Sequence, residues 1–286
     1  MLFRSKGNAE GAAQSIVADT GSTTTSLYDA SVDFTAATGV AVGDCILLDP
    51  KGASPEYGWI TDITDAATGT LVVGGGFSKG GNPAGRAYSI VDYSAATGAH
   101  VVKLVYLTDT YYEKEVLVCL NGTTNVVIDA ASGDANTEFF RLNDFRVVAA
   151  GSGHAAAGVL SVVDAATHAV FYGNMLATHT AARSTIYTVP AGKTLFINRV
   201  TFTYATTGSA NKEYARMFGN ANFIEGTTFH TGNLFYPCNE VVMQNAISDI
   251  EMACPIKIPE KVDIKITGIA SAAGVATAVL RGWFEI

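Results

Sequence analysis

Lys261-Val262-Asp263-Ile264-Lys265-Ile266-Thr267 alternates polar and apolar side chains without exception, the pattern of a β-strand with one wet face and one buried face. Pro255 and Pro259, just upstream, exclude a helix there, so Lys257, Lys261 and Lys265 form no helical basic stripe. Working outward, residues 194–204 repeat the period: Phe196, Val200, Phe202 and Tyr204 fall on one face, Leu195, Ile197, Arg199, Thr201 and Thr203 on the other. Both faces are partly apolar, which suits a strand inside a sandwich. Val189-Pro190-Ala191-Gly192 reads as the tight turn before it, with Pro fixing φ and Gly taking the left-handed position. Asn121-Gly122, between residues 116–120 and 123–128, reads as a two-residue type I′ hairpin turn. Further strands are expected near residues 45–48, 58–63, 70–73, 86–91, 100–107, 139–149, 158–163, 169–175, 184–189, 213–218 and 275–286. Helical periodicity is nearly absent, and strands about ten residues apart point to an all-β protein.

Of 286 residues, 18 are Lys or Arg and 26 are Asp or Glu, so charged side chains make 15% and the net charge is −8, against roughly 25% charged in an ordinary soluble domain. With 48% apolar residues, 29 Gly and 7 Pro, the chain has material for a sizeable core but little charge to hold it apart from neighbours. Much of its surface is therefore expected to be covered in an assembly. No stretch is basic, so no nucleic-acid partner is expected. No signal-peptide-like or twenty-residue apolar run occurs, which predicts synthesis in the cytoplasm and no membrane partner. Cys45, Cys119, Cys238 and Cys254 are too widely spread for a metal knuckle and are expected to be buried free thiols.

Residues 1–14, with Gly7, Asn8 and Gly11, read as an N-terminal arm with little to bury. Residues 15–95 read as a small β module whose Gly-rich stretch 74–85 is a hairpin loop. The small, turn-prone run 94–99 marks the boundary to a larger antiparallel β-sandwich, 96–286, with a weaker break near residue 180. Residues 218–237, rich in Phe, Tyr, Asn and Gly, read as a long loop whose aromatics need a partner surface. Leu2, Phe3 and Arg4 of the arm and Phe223, Phe229, Phe235 and Tyr236 of the loop are the candidate interface residues.

Several motifs imitate chemistry. Asp19-Thr20-Gly21-Ser22 is the tetrapeptide of aspartic proteases, whose mechanism needs a second aspartate sharing the proton. The chain has no second copy. Capping of a turn into a Thr-rich strand is the simpler reading of Asp19. Gly76-Phe77-Ser78-Lys79-Gly80 matches a nucleophile elbow, but Gly81, Asn82 and Pro83 follow where a helix must begin. Gly192-Lys193-Thr194 lacks the upstream glycine of a phosphate-binding loop, since position 187 is Tyr. Asn121-Gly122-Thr123 is formally a glycosylation acceptor, better read as the turn. His100, His154, His168, His179 and His230 never reach ligand spacing. Trp59, Trp283 and the 12 tyrosines could stack on sugars, but cores and interfaces use the same residues. No catalytic residue, cofactor site or metal site is expected.

Three segments together resemble structural proteins of tailed bacteriophages. Asp19-Thr20-Gly21-Ser22-Thr23-Thr24-Thr25-Ser26-Leu27 with Val40-Ala41-Val42-Gly43-Asp44 resembles a small β module of virion proteins. Ile186-Tyr187-Thr188-Val189-Pro190-Ala191-Gly192-Lys193-Thr194-Leu195 is similar to the corner that introduces a jelly-roll strand in head and tail decorations. Residues 256–266 and the closing Leu280-Arg281-Gly282-Trp283-Phe284-Glu285-Ile286 look like the end of that sandwich. The resemblance implies a β-barrel-like N-terminal module followed by a jelly-roll-like β-sandwich. It further implies a non-enzymatic virion protein: a decoration, fibre or neck/tail accessory that works through subunit interfaces. The expected partners are copies of itself, as a trimer, and the capsid, portal/neck or tail proteins. The alternative is a receptor- or glycan-binding module recognising a host-surface glycan.

Overall fold

The computed structural model describes residues 16–286 other than 33, 35–39, 51, 66–68, 80, 92–97, 121–124, 127, 129–138, 165–170, 183–185, 206–212, 221–235, 244–246 and 271–274; for 16, 17, 65, 213–220, 236–243, 267–270, 275 and 276 it describes the backbone only. Among the described residues the strands pair antiparallel throughout and there is no helix. The chain divides into two compact units, one of Met1–Tyr106 with Lys114–Arg183 and one of Leu107–Glu113 with Ser184–Ile286.

The first unit begins with a six-stranded sheet of β1 (Ile16–Val17), β2 (Ser26–Tyr28), β3 (Cys45–Leu48), β4 (Glu56–Asp65), β5 (Thr70–Gly74) and β6 (Ala87–Val91), in the order β1-β6-β3-β4-β5-β2. The ladder is not a closed barrel; one backbone bond, Asp19 N–H to Tyr28 O at 2.8 Å, ties the segment just after β1 to β2. Leu27, Ile46, Leu48, Ile60, Leu71, Val73, Phe77 and Tyr88 fill one core on one face of this sheet. All four residues of β3 are buried, because the strand has a second apolar face. There Cys45 and Leu47 join Val91 and meet Val101, Leu117 and Ala149. The last three come from β7 (Ala99–Leu107), β8 (Glu113–Cys119) and β9 (Arg141–Ala150), which form a sheet in the order β8-β7-β9. That sheet's other face carries Val102, Leu104, Tyr106, Val116, Val118 and Phe145 against β10 (Leu160–Val163) and β11 (Phe171–Met175). The cluster around Cys45 and Leu47 packs the six-stranded sheet on the β8-β7-β9 sheet within the first unit. The expected hairpin at Asn121-Gly122 lies outside the described residues, but β8 pairs with β7, and Asn125, Val126 and Ile128 belong to no strand.

The second unit has two sheets. β12 (Ile186–Thr188), β17 (Asp263–Ala270), β14 (Glu213–Asn220) and β15 (Tyr236–Met243) form one in that order; β16 (Ile247–Ile258), β13 (Thr194–Ala205) and β18 (Val275–Glu285) form the other. Their inner faces share one core of Val189, Leu195, Ile197, Val200, Phe202, Tyr204, Ile258, Val262 and Ile264. The pairing is nested: β12 pairs with β17, β13 with β16, and β14 with β15. Both ends of the expected loop at residues 218–237 are strand, since β14 runs to Asn220 and β15 starts at Tyr236; residues 221–235 lie outside the described residues. The turn before β13 is as expected: Lys193 N–H donates to Pro190 O, and Gly192 sits at φ 74°.

The faces of β13 differ from the strict alternation. Leu195, Ile197, Val200, Phe202 and Tyr204 all point into the core, because the register against both neighbours shifts between Ile197 and Arg199. Asn198 is the extra residue of a bulge, and one extra residue exchanges the faces of everything beyond it. Against β16 the irregularity is larger, with Ile197 opposite Ile256 but Arg199 opposite Glu251, so Pro255 sits where no ladder bond is required. Against β18, a Cβ on Gly282 would lie 2.0 Å from Phe196 O, so only glycine admits this close approach. Val262, just before β17, and Ile264 and Ile266 within it face the core as expected, but Asp263 is fully buried rather than wet. Its partner in register is Thr188, whose hydroxyl donates to Asp263 Oδ1 at 2.5 Å.

Candidate interaction surface

The same bulge that turns five apolar residues of β13 inward delivers Phe196, Arg199, Thr201 and Thr203 to the outer face of the β16-β13-β18 sheet. Register then places Lys257, Glu251, Asp249 and Ile247 of β16 on one side of them. Trp283, Arg281, Val279 and Thr277 of β18 stand on the other. The face is a set of cross-strand rows. Phe196 and Trp283 stack at 5.4 Å between centroids with an 8° interplanar angle, a pair that covers apolar ring area and leaves the Trp edge wet. In the next row Arg199 stands directly opposite Arg281, an arrangement that like-charge repulsion disfavours. Asp249 resolves it. Its carboxylate accepts from Arg199 Nε at 2.8 Å and from Arg199 Nη2, and from Thr201 Oγ1 at 2.8 Å. The Arg199 fork first, then the Thr201 hydroxyl and the Arg281 charge, hold the Asp249 carboxyl far below the usual carboxylate range. Asp249 in turn raises the Arg199 guanidinium. Thr203 and Thr277 share a hydroxyl hydrogen bond. Ile247, Val279 and Trp283 are exposed at 72%, 50% and 42%, so apolar area borders the charges on this face.

The expected interface residues are not brought into view. Leu2, Phe3, Arg4, Phe223, Phe229 and Phe235 lie outside the described residues, and Tyr236 opens β15 with only its backbone described. Sequence reading passed over the outer face because its residues come from three strands up to ninety positions apart, and its phase depends on the bulge. The exposed Trp283, included among the aromatic candidates, was the one available signal.

The imitated motifs take structural places. Asp19 caps a turn: its Oδ2 accepts from Ala30 N–H at 2.8 Å, and its carbonyl from Ser22 N–H at 3.0 Å. The Thr-rich segment is mostly turn, with Thr23 bridged to Ser26 and only Ser26–Tyr28 in strand. Ser78 lies in the Gly-rich loop, where its N–H and that of Lys79 donate to the buried Glu56 carboxylate at 2.5 and 2.6 Å. Arg86 Nη1 holds the other Glu56 oxygen at 2.8 Å. Cys45 is buried, and burial raises its thiol strongly, but Cys119 is half-buried and Cys254 exposed, unlike the expected buried thiols; the Cys238 side chain lies outside the described residues. Cys254 is exposed because it sits within the β16 irregularity. His100 is buried in β7, while His154 and His179 stand in the loops flanking β10 and β11; His168 and His230 lie outside the described residues. Among the described residues no group of three or more His, Cys, Asp or Glu could hold a metal ion, and no helix is long and apolar enough to cross a membrane.

In comparisons with protein-family models, curated proteins and solved structures, nothing matches this chain.

Proposed function

We propose that this chain is a non-enzymatic structural component of a tailed-bacteriophage virion, an oligomeric decoration, fibre or neck/tail accessory protein that acts through subunit interfaces. The observation that carries the reading is the nested pairing of β12 with β17, β13 with β16 and β14 with β15. A jelly roll is a long hairpin wound up on itself so that early strands pair with late ones across two facing sheets. The sheet order β12-β17-β14-β15 facing β16-β13 follows that winding. This supports a jelly-roll-like sandwich for the second unit. The six-stranded sheet, whose two edges are joined among the described residues by Asp19 N–H to Tyr28 O and Ala30 N–H to Asp19 Oδ2, supports a barrel-like module before it. The resemblance of residues 19–27, 186–195 and 256–266 to virion proteins supplies the biological setting, and low charge with exposed apolar strands suits a protein covered by neighbours.

In this reading the partners are other copies of the chain, as a trimer, and capsid, portal/neck or tail proteins. Cryo-EM of particles produced with the chain tests it. Density for a homo-oligomer at the capsid surface, neck or tail is expected. Absence of the chain from purified particles, together with strictly monomeric behaviour of the purified protein, overturns it. A glycan array separates the alternative: a receptor-binding module gives specific signals where an accessory protein gives none.

A further inference from the structure

We propose that the free edge of β18 pairs antiparallel with β18 of a second copy of this chain, about a twofold axis passing at Trp283. The inference deepens the homo-oligomer reading above and rests on it. The sheet order β16-β13-β18 leaves two edges, and the two are built differently. β16 carries Pro255, Lys257 and a multi-residue irregularity, the devices that stop an edge from templating another strand. β18 has no Pro and no Lys, and it keeps continuous register along its length, since the extra residue at the bulge is Asn198 of β13. No described strand pairs with its outer edge. A long unguarded edge presents alternate free N–H and C=O groups to an incoming strand.

Charge selects both the occupant and the register. The outward side chains toward the end of β18 are Arg281, Trp283 and Glu285. With the twofold at Trp283, Arg281 of each copy stands opposite Glu285 of the other, so two opposite-charge pairs flank a central Trp–Trp contact. A twofold at Arg281 would set Arg against Arg, and one at Glu285 would set Glu against Glu. The inward positions agree. Gly282 would stand opposite Phe284 of the copy, an aromatic ring covering the bare backbone of a glycine, and Leu280 would stand opposite Ile286. Trp283 at 42% and Phe284 at 43% stand together near this edge, and the pairing covers them.

Native mass spectrometry and sedimentation of the full chain test the pairing. The wild type is expected to form an even-numbered oligomer, a hexamer in which two of the trimers proposed above pair through β18. Trp283→Lys, which sets two ammonium groups against each other at the axis, is expected to halve that mass or weaken association about fivefold or more, the effect of like charges placed directly opposite and of the lost Trp–Trp contact. An equimolar mixture of Trp283→Lys and Trp283→Glu is expected to restore it. Arg281→Glu and Glu285→Arg provide a second route: each alone weakens assembly, and the double exchange restores it with circular dichroism unchanged. An oligomer whose mass is the same in the wild type and in Trp283→Lys overturns the edge pairing while leaving the homo-oligomer reading standing. A wild type that stays monomeric at tens of micromolar sinks both.

Discussion

Glu56 shows how a single buried carboxylate can organise a glycine-rich loop that has no strand pattern of its own. It is 6% exposed and receives Ser78 N–H, Lys79 N–H and the Arg86 guanidinium, while Arg86 also donates to Ser54 O. Removing one partner leaves a desolvated Arg86 and two amides without an acceptor, so Glu56→Ala is expected to destabilise the first unit by about 3–5 kcal/mol. Urea unfolding followed by Trp59 fluorescence measures it, and a loss below about 1 kcal/mol would show that water replaces the carboxylate. Glu115 is more open. Partial burial pushes its carboxyl up, but hydrogen bonds and charge from Lys103 and Lys79 outweigh this and leave it below the ordinary value. A folded-state pKa below the unfolded one contributes stability above the unfolded value, and that contribution is lost as pH falls through the folded one. The melting temperature of the wild type is therefore expected to fall toward that of Glu115→Gln as pH drops from 7 to 3, and the two curves should converge at the acid end. Tyr88 adds no charge at these pH values: burial and then Asp29, 2.8 Å from the hydroxyl, drive it far upward.

At the level of the strand, β13 is the organising element of the second unit, paired along its length with β18 on one side and β16 on the other. Its bulge lets Leu195 and Ile197 share a face with Val200, Phe202 and Tyr204. Deletion of Asn198 removes the phase change and would put one of these two sets outside the core. The expected result is loss of cooperative unfolding of the second unit, read by calorimetry, whereas Asn198→Ala, which keeps the extra residue, should cost under about 1.5 kcal/mol. Equal behaviour of the two variants would show that side-chain chemistry rather than residue count sets the phase. Gly282 belongs to the same device, since the bulged backbone comes too close for any Cβ there. β17 shows a different tertiary effect. Asp263 alternates with apolar neighbours as a solvent-facing residue does, yet it is covered and met by the Thr188 hydroxyl because β12 lies alongside it.

Across the whole molecule, the second unit is not a continuous segment. It includes Leu107–Glu113, whose Tyr111 carbonyl accepts from Ala191 N–H at 2.8 Å, whose Glu113 pairs with Lys193 at 3.1 Å, and whose Tyr111 ring lies beneath Lys261. A chain of residues 184–286 alone is therefore expected to melt below the second unit's transition in the full protein, and calorimetry of both measures the difference; equal melting would show these contacts to be dispensable. Period-2 alternation, turn chemistry at Pro190 and Gly192, and the cap at Asp19 were all legible in the sequence, because each is decided by residues within a few positions of one another. They determined that the protein is all-β and placed most of its strands. The tertiary structure alone decided which strands pair, that Asp263 is buried, that β13 exchanges its faces at Asn198, and that Phe196, Arg199, Asp249, Arg281 and Trp283 share one surface. Those outcomes depend on register between strands distant in the chain, and register is set by packing against a partner, about which local alternation carries no information.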